Sequence, residues 1–329
     1  GGDKGIIAIR QIFRILKAGK STVCLHDYMI RPKDFLLFAN FWIRIVFFKK
    51  KEFIIGSVIL TDRCNLKCKH CSVNNITAIM HSYSQIIADM QTLYGMGVRI
   101  LFLYGGEPFL WKDGELTVKD LVVEAKRMGF VIVNLVTNGT FPIDVPEADL
   151  IMVSLDGNKE WHNAIRGNTY DTIMENVRNA TTNNICFYMA INQINKNAVR
   201  DVCVIAKETP NVKAVSFNFH TPYPDTRSLL LSKEEKKTVC DTLSQMIDEG
   251  APVLNLKNAF PYLINNSFPT PCHQSLVVES GKISVCGRCI EESGLCDECG
   301  YFFVAEYTLL FKGNLKITFE ALKTYSKYI

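Results

Sequence analysis

The densest chemistry in the chain lies in eight residues, CNLKCKHC, where Cys64, Cys68 and Cys71 share one loop. Thiolates at CxxxCxxC spacing can hold three corners of a [4Fe-4S] cube and leave the fourth iron without a protein ligand. An open position of that kind separates a catalytic metal centre from a structural one. The competing reading is a zinc site completed by a more distant ligand such as His70 or His81. A second set follows at Cys272, Cys286, Cys289, Cys296 and Cys299. Cys286-x-x-Cys289 and Cys296-x-x-Cys299 form two knuckles that would suit structural zinc or a rubredoxin-like iron. Of the twelve cysteines, Cys24, Cys186, Cys203 and Cys240 stand alone, and the last three read as core residues.

These groups need a scaffold. With 329 residues, 48% apolar and 21% charged, the chain can build a large core. No secretory signal opens the sequence, so the thiols are expected to be reduced and clustered for metal rather than for bridges. The basicity sits at the front: residues 1–52 hold eleven Lys/Arg against four Asp/Glu, a charge of +7, which leaves −3 for the rest. There Ile6, Ile9, Phe13 and Leu16 share one helical face, with Arg10, Arg14 and Lys17 on the other. The next stretch, FLLFANFWIRIVFF at 35–48, is closed by Lys49, Lys50 and Lys51. It is too short to cross a bilayer, which takes about 20 apolar residues. It suits either a membrane surface or a helical layer on the following domain.

From residue 56 onward, short β-branched runs alternate with helical stretches. Strands are predicted at 56–61, 99–104, 131–137, 150–155, 185–191 and 214–219, with helices at 82–97, 117–129, 168–183, 196–209 and 232–249. Continuously apolar strands joined by crossover helices make a parallel sheet. The chemically loaded stretches CNLKCKHC, GGEP, TNG and SLDG each follow a strand. That distribution favours the rim of an α/β partial (β/α)6 TIM-like barrel over the single switch point of an open sheet. Three domains are expected: a basic helical segment at 1–52, the barrel at 53–250, and a Cys-rich metal-binding extension at 251–329.

With CxxxCxxC followed by Tyr104-Gly105-Gly106-Glu107-Pro108, the sequence resembles the radical SAM enzymes. The resemblance implies a [4Fe-4S] cluster on Cys64, Cys68 and Cys71 and S-adenosylmethionine bound at its open iron. It also implies reductive cleavage of that cofactor to a 5′-deoxyadenosyl radical. Gly105 and Gly106 would let backbone approach the cofactor, with Glu107 offered to its ammonium and Pro108 closing the motif. His70 stands where the family places an aromatic residue beside the adenine. Ser154 and Asp156 resemble the residues near the ribose, and Arg166 a partner for the cofactor carboxylate; Asn138 and Asn192 complete the expected set. Cys272, then Gly281 with four residues between it and Cys286, resembles the opening of a SPASM or twitch extension, which implies an auxiliary iron-sulfur cluster.

The resemblance leaves the substrate open. A lipid or isoprenoid is favoured by the front segment and by a weaker likeness to hopanoid adenosyltransferase-type radical SAM proteins; a peptide or a small metabolite is the alternative. A reductant such as flavodoxin or ferredoxin is the expected partner, and no nucleic acid is. The expected location is cytoplasmic or peripheral on the inner membrane face. A non-catalytic electron-transfer protein would explain the cysteines but not GGEP or SLDG. Tyr223, in HTPYPD past the sixth strand, would face the barrel mouth or simply serve a turn.

Overall fold

The computed structural model describes residues 32–71 and 77–328. The amphipathic pattern at 6–17 and Cys24 lie outside them. Six parallel strands carry the fold: β1 (Ile55–Ile59), β2 (Ile100–Tyr104), β3 (Ile132–Thr137), β4 (Leu150–Ser154), β5 (Ile185–Ile191) and β6 (Val212–Phe219). Each pairs with the next. Their apolar runs are buried on both faces, and β4 is buried at every position, as a sheet covered by helices requires. The partial barrel read from the sequence is the architecture of the chain.

The helices are α1 (Pro32–Val46), α2 (Tyr83–Gly95), α3 (Val118–Met128), α4 (Lys159–Arg166), α5 (Tyr170–Arg178), α6 (Val199–Glu208) and α7 (Lys233–Asp248). Local signals set several ends. Ser232 accepts from the Glu235 amide at 3.2 Å while Glu235 accepts from the Ser232 amide at 2.7 Å, a capping box that starts α7. The helix expected over 168–183 is α5, and α4, just before it, is an additional helix that Gly167 at φ 76° ends before the chain turns into α5. That break puts Arg166 in the last turn of α4, pointing back at the barrel.

After the short α8 (Phe260–Ile264), two further strands, β7 (Ser275–Glu279) and β8 (Lys282–Val285), extend the same sheet. β7 runs parallel to β1 and β8 turns back antiparallel, giving the order β8-β7-β1-β2-β3-β4-β5-β6. Ser280 (φ 48°) and Gly281 (φ 81°) make the two-residue turn, a hairpin signal of a kind the sequence reading passed over. The cysteine-bearing extension is thereby registered against the first barrel strand. α9 (Phe302–Phe311) and α10 (Leu315–Tyr328) finish the chain.

The apolar stretch at 35–48 is mostly α1, and one face of it is a protein contact. Phe41 and Ile45 pack with Ile54, Ile55 and Phe311, and the Trp42 indole donates to the Leu310 carbonyl at 3.1 Å. None of the described helices is long and apolar enough to cross a membrane.

Candidate active site

The cysteine loop is closed at its base before any metal is considered. Arg63 Nε donates to the Ala78 carbonyl at 2.7 Å and the Thr61 hydroxyl to the Ile79 carbonyl at 2.7 Å. Thr77 Oγ1 donates to Asp62 Oδ2 at 2.5 Å. The GGEP loop is zipped onto this base: Gly106 N donates to Thr61 O at 2.7 Å and Glu107 N to Arg63 O at 2.8 Å. The glycines have a reason within the chain. A Cβ on Gly105 would stand 2.3 Å from Thr61 O, and one on Gly106 would stand 2.1 Å from Arg63 O. What comes close here is the exit of β1.

Glu107 is fully buried. Its Oε1 accepts from Thr137 Oγ1 at 2.7 Å and from Phe109 N at 3.1 Å, and its Oε2 accepts from Asn138 N at 2.7 Å. Burial raises its pKa against those three bonds. The carboxylate thus ties the β2 exit to the β3 exit, and Pro108 begins the single helical turn that follows. Thr137, which sequence reasoning missed although it precedes Asn138 at a strand end, is part of that tie.

Two sulfurs receive side-chain donors. Asn138 Nδ2 lies 3.7 Å from Cys64 Sγ and also donates to Asn65 Oδ1 at 2.8 Å. Arg166 Nη1 lies 3.7 Å from Cys68 Sγ, and the Lys69 amide donates to the Ile165 carbonyl, joining the loop to α4. Burial raises the Cys64 pKa and pushes Cys68 up to about 11, with Arg166 opposing the rise at Cys68. Donors aimed at sulfurs that the protein partly desolvates are the surroundings expected of metal-bound thiolates.

Asp156 anchors Arg166. The two meet at 2.6 Å, and both side chains are at most 9% exposed. Burial acts to raise the Asp156 pKa, but Arg166, His70 and His162 outweigh it and hold the carboxyl below its ordinary value. Asp156 Oδ1 also accepts from Ala190 N at 3.1 Å. His162, absent from the sequence reading, accepts from Asp156 N through Nδ1 at 3.2 Å. His70 is neutral in this setting: burial, reinforced by Arg166, carries its pKa down to about 4. Its Nε2 meets Arg166 Nη2 at 3.3 Å, while its buried Nδ1 has no hydrogen-bond partner among the described residues.

The structure therefore gathers His70, Glu107, Asn138, Asp156 and Arg166 around the cysteine loop. Ser154 is buried at the end of β4. Asn192 is engaged differently, since its carboxamide donates to Ala190 O at 3.1 Å and accepts from Ile194 N at 2.9 Å, both within its own turn.

In the extension, Cys286, Cys289, Cys296 and Cys299 line one small pocket together with Thr221, Ile290 and Leu295. Cys272 is buried within electrostatic reach of Cys286 and Cys299. Burial pushes Cys272 and Cys289 up to about 11 and Cys299 to about 12. The Tyr223 hydroxyl hydrogen-bonds Cys289, so this tyrosine belongs to the site as well as to its turn. Cys186, Cys203 and Cys240 lie in the core.

The two cysteine sites are physically joined. Arg288, between Cys286 and Cys289, reaches Asp62 Oδ1 at 2.9 Å, two residues before Cys64, and pairs with Glu279 of β7 through Nε at 2.9 Å. Partly buried aromatic groups fill the interval. Tyr104 lies within electrostatic reach of Arg288, Tyr223 and Cys289, Tyr301 of Tyr223 and Tyr188, and Tyr188 of Arg166 and Asp156.

A partial barrel carries a three-cysteine loop at its rim, tied by ion pairs and hydrogen bonds to the neighbouring strand ends, an arrangement that suits an iron-sulfur site. Residues 58–204 match the radical SAM superfamily. The chain is 29% identical over 241 residues to Fe-coproporphyrin III synthase of Methanosarcina barkeri, covering 65% of this chain and 58% of that protein's length. It is 22% identical over 262 residues to GTP 3′,8-cyclase of Clostridium perfringens, covering 70% of this chain and 79% of the other. Streptococcus suis SuiB, solved with the precursor peptide SuiA, shares the fold at a TM-score of 0.59 and 14% identity, over 96% of this chain and 78% of that one. Residues 58–204 are thus a radical SAM domain, and the chain spans 58% of the length of the coproporphyrin relative.

Proposed function

We propose that Cys64, Cys68 and Cys71 hold a [4Fe-4S] cluster, that S-adenosylmethionine binds beside it, and that the extension holds an auxiliary iron-sulfur cluster. The observation that carries this reading is the pair of donors, Asn138 and Arg166, set against two sulfurs of the loop. Bound together, cluster and cofactor supply a 5′-deoxyadenosyl radical, the hard chemistry that the protein itself lacks. The chain's own residues position and insulate. Glu107 fixes the GGEP loop against β3, Asp156 fixes Arg166, and the hairpin β7–β8 covers the edge of β1. Through Nη1 and Nη2, Arg166 presents positive charge to Cys68 and His70 at once.

The reading of a cluster rather than zinc there rests on four thiols lining one pocket with a fifth, Cys272, close by, a donor set that suits a polynuclear group. A one-electron donor of the flavodoxin or ferredoxin kind is the partner this chemistry requires.

The substrate we propose is a small polar molecule rather than a lipid. The groups near the junction of the two cysteine sets include Tyr104, Tyr223 and Arg288, whose polar ends would be costly against a hydrocarbon chain. The relatives found by sequence are named for a coproporphyrin and for GTP. The lipid preference drew on the stretch at 35–48, whose buried face is taken by α9.

Metal analysis after anaerobic reconstitution tests the reading. Roughly four iron per chain should disappear when Cys64, Cys68 and Cys71 are all replaced by alanine, and a separate iron fraction when Cys286 and Cys299 are. Unchanged iron in the first variant would refute the primary site; unchanged iron in the second would refute the auxiliary one.

A further inference from the structure

We propose that the corner where α1 meets the α9–α10 turn is a docking surface for an anionic phospholipid bilayer, built from two ends of the chain. It carries the enzyme to a membrane and is independent of the substrate.

Large apolar side chains are concentrated there. Phe47 and Phe48 at the exit of α1, and Leu315, Phe319 and Leu322 of α10, are each 43% to 68% exposed, and they make up five of the twelve exposed large hydrophobics among the described residues. On α10 the three fall at i, i+4 and i+7, one stripe of the helix. The opposite side is the packed one. Ile317 and Ala321 are buried, Tyr325 donates to Glu306 at 3.1 Å, and Glu320 accepts from the Lys257 and Asn258 amides at 2.7 and 2.9 Å. α10 is therefore apolar on two sides, and packing explains only one.

The two segments are adjacent. A Cβ on Gly313, in the turn that leads into α10, would stand 2.8 Å from Val46 Cγ1 at the end of α1. Phe47, Phe48 and Lys49 through Lys51 follow Val46 directly, so they leave the fold beside the start of the α10 stripe.

Charge says what covers this surface. Lys312, Lys316 and Lys323 are exposed on or next to the stripe, and neither they nor Lys49, Lys50 and Lys51 form an ion pair among the described residues. The acid on α10, Glu320, faces the protein, and Glu52 is held by Arg44 at 2.9 Å. Apolar side chains rimmed by unpaired lysines match the interfacial layer of a bilayer with anionic headgroups, where buried apolar area and attraction to the headgroups add. A second copy of this chain would bring six like charges to the same contact.

Vesicle flotation with the full chain tests this. Wild type should float with phosphatidylglycerol-containing vesicles and at least about tenfold less with pure phosphatidylcholine, and salt should release it. Leu315→Glu/Phe319→Glu/Leu322→Glu should abolish flotation while the variant elutes as wild type on gel filtration and keeps its helical circular dichroism. Lys312→Gln/Lys316→Gln/Lys323→Gln should weaken binding to anionic vesicles alone. If the glutamate variant loads the column as an aggregate, the glutamine variant decides. Flotation that survives the substitutions, or no flotation of wild type at all, overturns the proposal. So does a wild-type dimer that the glutamate variant converts to monomer without any vesicle binding.

Discussion

Arg166 and Asp156 show how much of this site is electrostatics under low solvation. Replacing Arg166 by methionine leaves a buried carboxylate without its cation, and removal of one partner from a buried pair costs about 3–5 kcal/mol. Denaturant titration of the metal-free chain should show a loss of that order, while Lys, which keeps the charge, recovers part of it. Glu107→Gln is a finer change. The amide nitrogen must face either the Asn138 amide or the Thr137 and Phe109 donors, which opposes donor to donor at a cost of about 1–3 kcal/mol. Weaker S-adenosylmethionine binding, read by equilibrium dialysis, with unchanged iron content is the expected result. Glu306 is a buried acid remote from the cysteines, and burial pushes its pKa up to about 7. A raised acid is protonated without penalty below its unfolded value and destabilises as pH climbs to its folded value. Wild type should therefore lose stability relative to Glu306→Gln between about pH 4.5 and 7, on the order of 3 kcal/mol. A pH-independent difference between the two would refute that assignment.

At the scale of elements, two connections carry the site. The GGEP loop lies so close to the β1 exit that Gly106→Ala must displace Arg63 and with it the start of the cysteine loop. Iron loading at Cys64, Cys68 and Cys71 should fall severalfold, whereas Gly114→Ala, in a turn with open space around it, should leave loading unchanged. The hairpin β7–β8 is the second connection, locked by Arg288 to Asp62 and by the Gly281 amide to Asp89 Oδ1 at 2.9 Å. Arg288→Gln leaves Asp62 and Glu279 facing each other unneutralised. The expected outcome is an altered electron paramagnetic resonance signal from the primary cluster even though Arg288 does not touch its cysteines.

These elements also mark where the sequence is transparent. The six barrel strands are legible because burial writes them as short, mostly apolar runs rich in β-branched residues, and the cysteine loop because ligand spacing is local. The Arg166–Asp156 pair was visible only as two polar residues, since their meeting depends on the break at Gly167. Thr137 and Arg288 act through contacts distant in sequence and leave no local pattern, while His162 works within its own loop and helix, on Asp156 and Thr169. The Ser280-Gly281 turn did leave one, between two β-branched runs, but the cysteines around it drew the reading toward metal and away from strands.

For the whole molecule, the sheet is the unit that brings chemistry together. Strand ends from β1 to β5 surround the primary cysteines, and β7 carries the second cysteine set to the same rim by pairing with β1. Tyr104 then stands within electrostatic reach of Arg288 and Cys289, close to the junction of the two cysteine sets. The central claim, that this rim splits S-adenosylmethionine by one-electron reduction, is tested most directly by mass spectrometry. The reconstituted chain is reduced with dithionite under anaerobic conditions, and 5′-deoxyadenosine formed from S-adenosylmethionine is followed over time. The account predicts 5′-deoxyadenosine from wild type and none from the Cys64→Ala/Cys68→Ala/Cys71→Ala variant. Equal formation in both, or none from a wild type whose reduced cluster signal is indifferent to S-adenosylmethionine, would contradict it.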